Sequence, residues 1–150
     1  MKRVNLLLLL IVLMGSPTFS FAETCTEGNC IEGKGILTYA DGGSYEGNFK
    51  NGKFEGRGVR KYENGKIYEG EFKNGKFNGT GTLTYGNGSK YVGEFRDGKK
   101  DGHGVYSNLD GREYNGTWKN NHYDGQGSET LSNGTRYVGG FKSGRRDGVR

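Results

Sequence analysis

The sequence predicts an all-β protein, an elongated and twisted antiparallel sheet of consecutive β-hairpins, and three observations carry that expectation. A Y-x-G-x-(F/W) unit recurs every 23 residues, opened by Tyr45, Tyr68, Tyr91, Tyr114 and Tyr137 and closed by Phe49, Phe72, Phe95, Trp118 and Phe141. A Gly-x-Gly pair follows in step at Gly56 and Gly58, Gly79 and Gly81, Gly102 and Gly104, and Gly125 and Gly127, with Gly33 and Gly35 upstream. Before each tyrosine stands Asp41-Gly42, Asn64-Gly65, Asn87-Gly88, Asp110-Gly111 or Asn133-Gly134, a hairpin signal because glycine adopts positive φ without steric cost. Self-similarity at a fixed period of this length marks stacked copies of one supersecondary unit.

Each repeat reads as two short strands. In Tyr45 to Phe49 and its copies, period-two alternation puts ring, glycine and ring on one face, with Glu46, Asn48, Glu69, Glu71 and Glu94 on the other. The second strand is expected to begin at the Gly-x-Gly pair. Two registers compete at the Asn-Gly turn. A two-residue turn would split glycines from aromatics. A three-residue turn with glycine in a bulge sets Gly56, Gly58, Tyr62 and the Leu37/Leu83 column on the face of Tyr68 and Phe72, and is the register expected. A slip of one residue would exchange the two faces. The other connection carries Asn51-Gly52, Asn74-Gly75, Asp97-Gly98 and Ser143-Gly144, replaced by Asn120-Asn121 in one copy, where asparagine still suits the left-handed region. The column of Ile31, Phe54, Phe77, Lys100, Tyr123 and Arg146 mixes rings with charge and reads as a partly covered loop edge. Glycine leaves bare backbone on which the ring of a neighbouring hairpin can lie, burying about 150 to 250 Å² per ring.

The repeat resembles the MORN (membrane occupation and recognition nexus) pattern, roughly Y-x-G-x-F-x-x-G-x-x-x-G-x-G, from about Cys25 to the C-terminus. The resemblance implies a ribbon of hairpins serving as a binding or membrane-apposition module, without naming a partner. On this reading residues 23–44 form a partial repeat and residues 45–67, 68–90, 91–113, 114–136 and a truncated 137–150 form the rest. The last hairpin is expected to lack its return strand, leaving Tyr137 to Phe141 as an edge that either pairs with a second chain or is kept solvated by Arg145, Arg146 and Arg150.

Residues 1–22 read as a secretory signal, with Lys2 and Arg3, an apolar run from Leu6 to Met14, and Ser20-Phe21-Ala22 as a small-x-small cleavage site. Export to a periplasm, cell envelope or extracellular space is expected. In such a compartment the two cysteines, Cys25 and Cys30, are expected to form a disulfide worth about 2 kcal/mol. Loss of Lys2 and Arg3 takes the basic count from 22 to 20 and, against 17 acids, leaves +3. That mild excess is no nucleic-acid footprint. Of the 30 glycines, 25 stand in five repeat columns, which makes them structural and not low complexity.

Little catalytic chemistry can be assembled. His103 and His122 occupy polar columns, the glutamates recur with the repeat whereas a catalytic pair should be singular, and the Asp97 to Gly102 stretch lacks the acidic spacing of a calcium loop. No cofactor, metal or catalytic residue is expected. Asn78, Asn87, Asn115 and Asn133 match N-x-S/T where the repeat already demands those residues. The expected function is non-catalytic binding, with a protein partner or a second copy meeting the face of Tyr45, Phe49, Tyr68, Phe72, Tyr91, Phe95, Tyr114, Trp118, Tyr137 and Phe141. The alternative is an anionic lipid or envelope surface meeting a basic edge of Lys53, Lys76, Lys99, Arg145 and Arg146.

Overall fold

The computed structural model describes residues 23–148, so the segment read as a secretory signal lies outside the described residues. Twelve strands form one antiparallel sheet in strict sequence order. They are β1 (Glu23–Gly28), β2 (Gly33–Tyr39), β3 (Ser44–Lys50), β4 (Lys53–Lys61), β5 (Ile67–Lys73), β6 (Lys76–Thr84), β7 (Lys90–Arg96), β8 (Lys99–Ser107), β9 (Glu113–Lys119), β10 (His122–Thr130), β11 (Arg136–Lys142) and β12 (Arg145–Arg146). The last hairpin therefore does begin a return strand: Arg145 pairs with Lys142 and Arg146 with Phe141.

The two turn types alternate. After β4 the amide of Gly65 donates to the Tyr62 carbonyl at 3.0 Å, Tyr62 pairs back to Lys66, and Gly65 has φ +77°. This is the three-residue turn with a bulged glycine, and it fixes the register in which Gly56 faces Phe72 and Gly58 faces Gly70. After β3 the turn has two residues, Asn51 at φ +50° and Gly52 at φ +70°, and Asn120-Asn121 repeats that geometry at +49° and +70°.

The second strand starts earlier than the Gly-x-Gly pair, at Lys53 in the first full copy. Phe54 pairs with Phe49 and Glu55 with Asn48, after which the register jumps so that Gly58 meets Gly47. Gly56 and Arg57 are thus two extra residues, a bulge that recurs in the copies at β6, β8 and β10. An even insertion preserves the alternation of faces, so Phe54 joins the ring face. Phe54, Phe77 and Tyr123 are consequently strand residues, partly buried against the core, which corrects the reading of their column as loop.

The bulge frees backbone groups that must find partners. On the ring face Tyr45 Oη donates to the Asn48 carbonyl at 2.9 Å, and Tyr68 repeats this to Glu71 at 2.8 Å. On the opposite face the Glu94 carboxylate accepts the His103 amide at 2.8 Å, and Glu71 accepts both the Thr80 amide and its hydroxyl. The periodic glutamates at these positions are bulge caps.

Candidate functional site

Ring packing decides which surfaces remain available. Tyr45, Tyr68, Tyr91 and Tyr114 are fully buried. Each tyrosine lies on its own repeat: a Cβ on Gly47 or Gly58 would come within 2.5 Å of the Tyr45 hydroxyl oxygen. The glycines expected to receive rings from a neighbouring hairpin receive them from their own. Contact between repeats is made edge to face instead, Tyr45 to Phe72, Tyr68 to Phe95, Tyr91 to Trp118 and Tyr114 to Phe141, with centroids 5.0 to 5.1 Å apart. Phe54, Phe77 and Tyr123 then stack on Tyr45, Tyr68 and Tyr114 at 3.7 to 3.8 Å. Nine of the ten residues assigned to a binding face are buried, and Tyr137 is half-buried. They form the core, so a partner does not meet them as an open surface.

Between β3 and β10 one position breaks the stack. Where the column should place a ring on Tyr91 it places Lys100, whose Nζ lies 5.3, 5.1, 5.3 and 4.7 Å from the ring centroids of Tyr85, Tyr91, Tyr106 and Trp118. Burial pulls its pKa down from 10.5 to about 8. A cleft of about 400 Å³ opens beside it, walled by Tyr85, Tyr106, Trp118 and Tyr123, with Asn121 and His122 also lining it. The sequence reading missed this site, although the departure of Lys100 from an aromatic column was its visible signal.

No described element covers the opposite face of the sheet. A transverse row of Ile36, Val59, Val92, Val105 and Val138 crosses it, interleaved with Glu46, Glu69, Thr82, Asn115 and Ser128. Val92 is 47% and Val138 68% exposed. A shallow trough of about 540 Å³ runs over β4 to β7, lined by Arg57, Val59, Glu69, Thr80, Thr82 and Val92.

At the two-residue turns, Lys53, Lys76, Lys99 and Arg145 are exposed in a row. Each directly faces another cation, namely Lys50, Lys73, Arg96 and Lys142, while His122 faces Lys119. Arg146 departs from that row. It lies over the Tyr137 ring at 4.8 Å and bonds Glu129 at 2.8 Å, replacing the stacked ring of other copies. Cys25 and Cys30 are joined, and the Cys30 sulfur stands 3.0 Å from where a Cβ of Gly35 would be, covering that glycine as tyrosine does elsewhere. His103 and His122 are both exposed, and no group of three or more metal-ligating side chains occurs among the described residues.

Fold and surfaces together define a class: a hairpin-repeat ribbon that offers faces and edges for binding. The profile described as MORN repeat matches residues 31–44, 45–67, 68–90, 91–111, 114–136 and 137–149. The chain belongs to the MORN-repeat family, whose repeats typically mediate protein or membrane binding and are generally non-catalytic. No curated protein matches it. Among solved structures, the TCP domain of Drosophila melanogaster SAS-4 (dCPAP), in complex with a proline-rich motif of Ana2 (dSTIL), is similar at 17% identity and a TM-score of 0.44. That similarity covers 74% of this chain and 61% of that one.

Proposed function

We propose that the chain is an exported, non-catalytic scaffold that binds a protein partner on the uncovered face of its sheet. The observation that carries this reading is the trough over β4 to β7, where exposed Val92 and half-buried Val59 lie among Arg57, Glu69, Thr80 and Thr82 on an otherwise hydrophilic molecule. The aromatic face is consumed by internal packing, so the opposite face has the side chains free to meet a partner. The leader-like residues 1–22 and the Cys25–Cys30 disulfide support a place outside the cytosol. Affinity capture from the envelope fraction tests the reading by comparing the wild-type chain with a Val59→Arg, Val92→Arg double variant. A protein retained by the wild type and lost from the variant is the expected result; identical retention by both removes this face as the docking surface.

A second reading, contact with an anionic lipid surface, is favoured by the opposed cation pairs. Like charges directly across a strand pair are destabilising, and here they recur at four of the five two-residue turns from β3 to β12, with His122 facing Lys119 at the other. Basic residues at such a surface contribute about 1 kcal/mol each. Co-sedimentation with phosphatidylserine vesicles is expected to fall as salt rises, and absence of salt-dependent binding excludes this reading.

A further inference from the structure

The repeat provides its own control for Lys100. In three other copies the equivalent residue is Phe54, Phe77 or Tyr123, stacked on the tyrosine of its repeat. A ring at position 100 would bury more apolar surface and complete the stack, so a lysine there sacrifices packing. Its ammonium forms no ion pair and donates no hydrogen bond to protein among the described residues. Three N–H donors therefore reach a cleft of about 400 Å³, within the range of about 300 to 1,000 Å³ typical of small-ligand sites. The lining contains Lys100 and His122 but no carboxylate. Its walls are the flat faces and edges of Tyr85, Tyr106, Trp118 and Tyr123.

We propose that this cleft binds a small monocarboxylic acid carrying one ring, with the carboxylate on the Lys100 ammonium and the ring against the aromatic walls. A single negative charge matches the cleft's one lysine, half-buried among the rings, and a carboxylate accepts the hydrogen bonds that the ammonium does not make to the protein. A planar or chair-shaped ring suits the tyrosine and tryptophan walls, whereas a flexible chain would lose more freedom on binding. A sugar acid and an aromatic acid share this chemistry. The depressed basicity of Lys100 fits the site, because a bound anion would restore the favourable environment that burial removes.

Calorimetric titration of the purified protein with sodium glucuronate and sodium 4-hydroxybenzoate, beside methyl glucoside and 4-hydroxybenzamide, tests the proposal and separates the two sources. At least one acid is expected to bind saturably, about tenfold or more tighter than its uncharged counterpart. Lys100→Met is expected to lose about tenfold or more of that affinity with its circular dichroism unchanged. Lys100→Phe restores the column's ring, so it is expected to resist urea better than wild type while also losing the acid. Affinity should fall above about pH 8 as the ammonium deprotonates. Facing it are Tyr85 after β6, Tyr91 on β7, Tyr106 on β8, Trp118 on β9, and His122 and Tyr123 on β10 across the cleft. Equal binding of acids and uncharged counterparts, no binding of either acid, or undiminished binding by Lys100→Met overturns the proposal. Failure here leaves the protein-binding reading intact, since that rests on the opposite face.

Discussion

Tyr68 is held in three ways at once. Its ring lies on Gly70 and Gly81, Phe77 stacks on it at 3.8 Å, and its hydroxyl donates to the Glu71 carbonyl at 2.8 Å. Removing only the hydroxyl in Tyr68→Phe should cost about 1 kcal/mol, and removing the ring in Tyr68→Ala about 3 to 5 kcal/mol, both read from urea unfolding. Gly81→Ala would set a Cβ 2.5 Å from that hydroxyl oxygen, and a loss of about 1 to 3 kcal/mol is expected from overpacking. Burial also raises the phenol pKa values, from 10.0 to about 12 for Tyr45, Tyr114 and Tyr123, and further for Tyr68 and Tyr91. The unfolded chain ionises first, so the stability these groups contribute is intact below pH 10 and is lost as pH rises toward 12. Alkaline titration should show phenolate absorbance rising together with loss of the sheet's circular dichroism; ionisation of all tyrosines near pH 10 without unfolding would contradict it.

Apart from the two-residue β12, β1 has the least support among the elements. It pairs on one side only, and its residues are all exposed. The disulfide covers Gly35 where no tyrosine is available, so its reduction should act locally. Hydrogen exchange is expected to show β1 and the Cys25 to Cys30 loop losing protection while β5 to β9 keep theirs. The three-residue turn was legible in the sequence because that register gathers glycines and rings on one face; the Asn-Gly dipeptide alone does not decide it, since it stands in both turn types. The bulge was not: its two extra residues, Gly56 and Arg57, leave the alternation of faces unchanged, and a period-two pattern cannot register an even insertion. That hidden shift is why Phe54 and Phe77 were read as loop residues. Once their column was set aside, the one lysine within it carried no meaning.

For the molecule as a whole, each strand pairs only with its neighbours in sequence. Stability should then be close to a sum over repeats and their interfaces. Deleting residues 68–90 is expected to leave a folded ribbon with the same spectral shape, a smaller urea m-value and lower stability. Complete unfolding of the deletion variant would show that the repeats depend on a longer-range core. The ribbon architecture and the covering of glycine by rings were readable from the repeat; that each tyrosine lies on glycines of its own repeat was not. Which face stays accessible was not, because a recurring tyrosine serves equally well as contact surface or as packing until its neighbours are placed.

Trp118, the single tryptophan, sits on β9 against Tyr91 of the preceding repeat, 6% exposed, with its indole N–H on the Gly104 carbonyl at 3.1 Å. Its emission is therefore a built-in optical reporter of one defined junction between repeats, free of background from other indoles. Excitation at its red edge would follow the opening of that junction apart from the fraying of either end, without any label being attached.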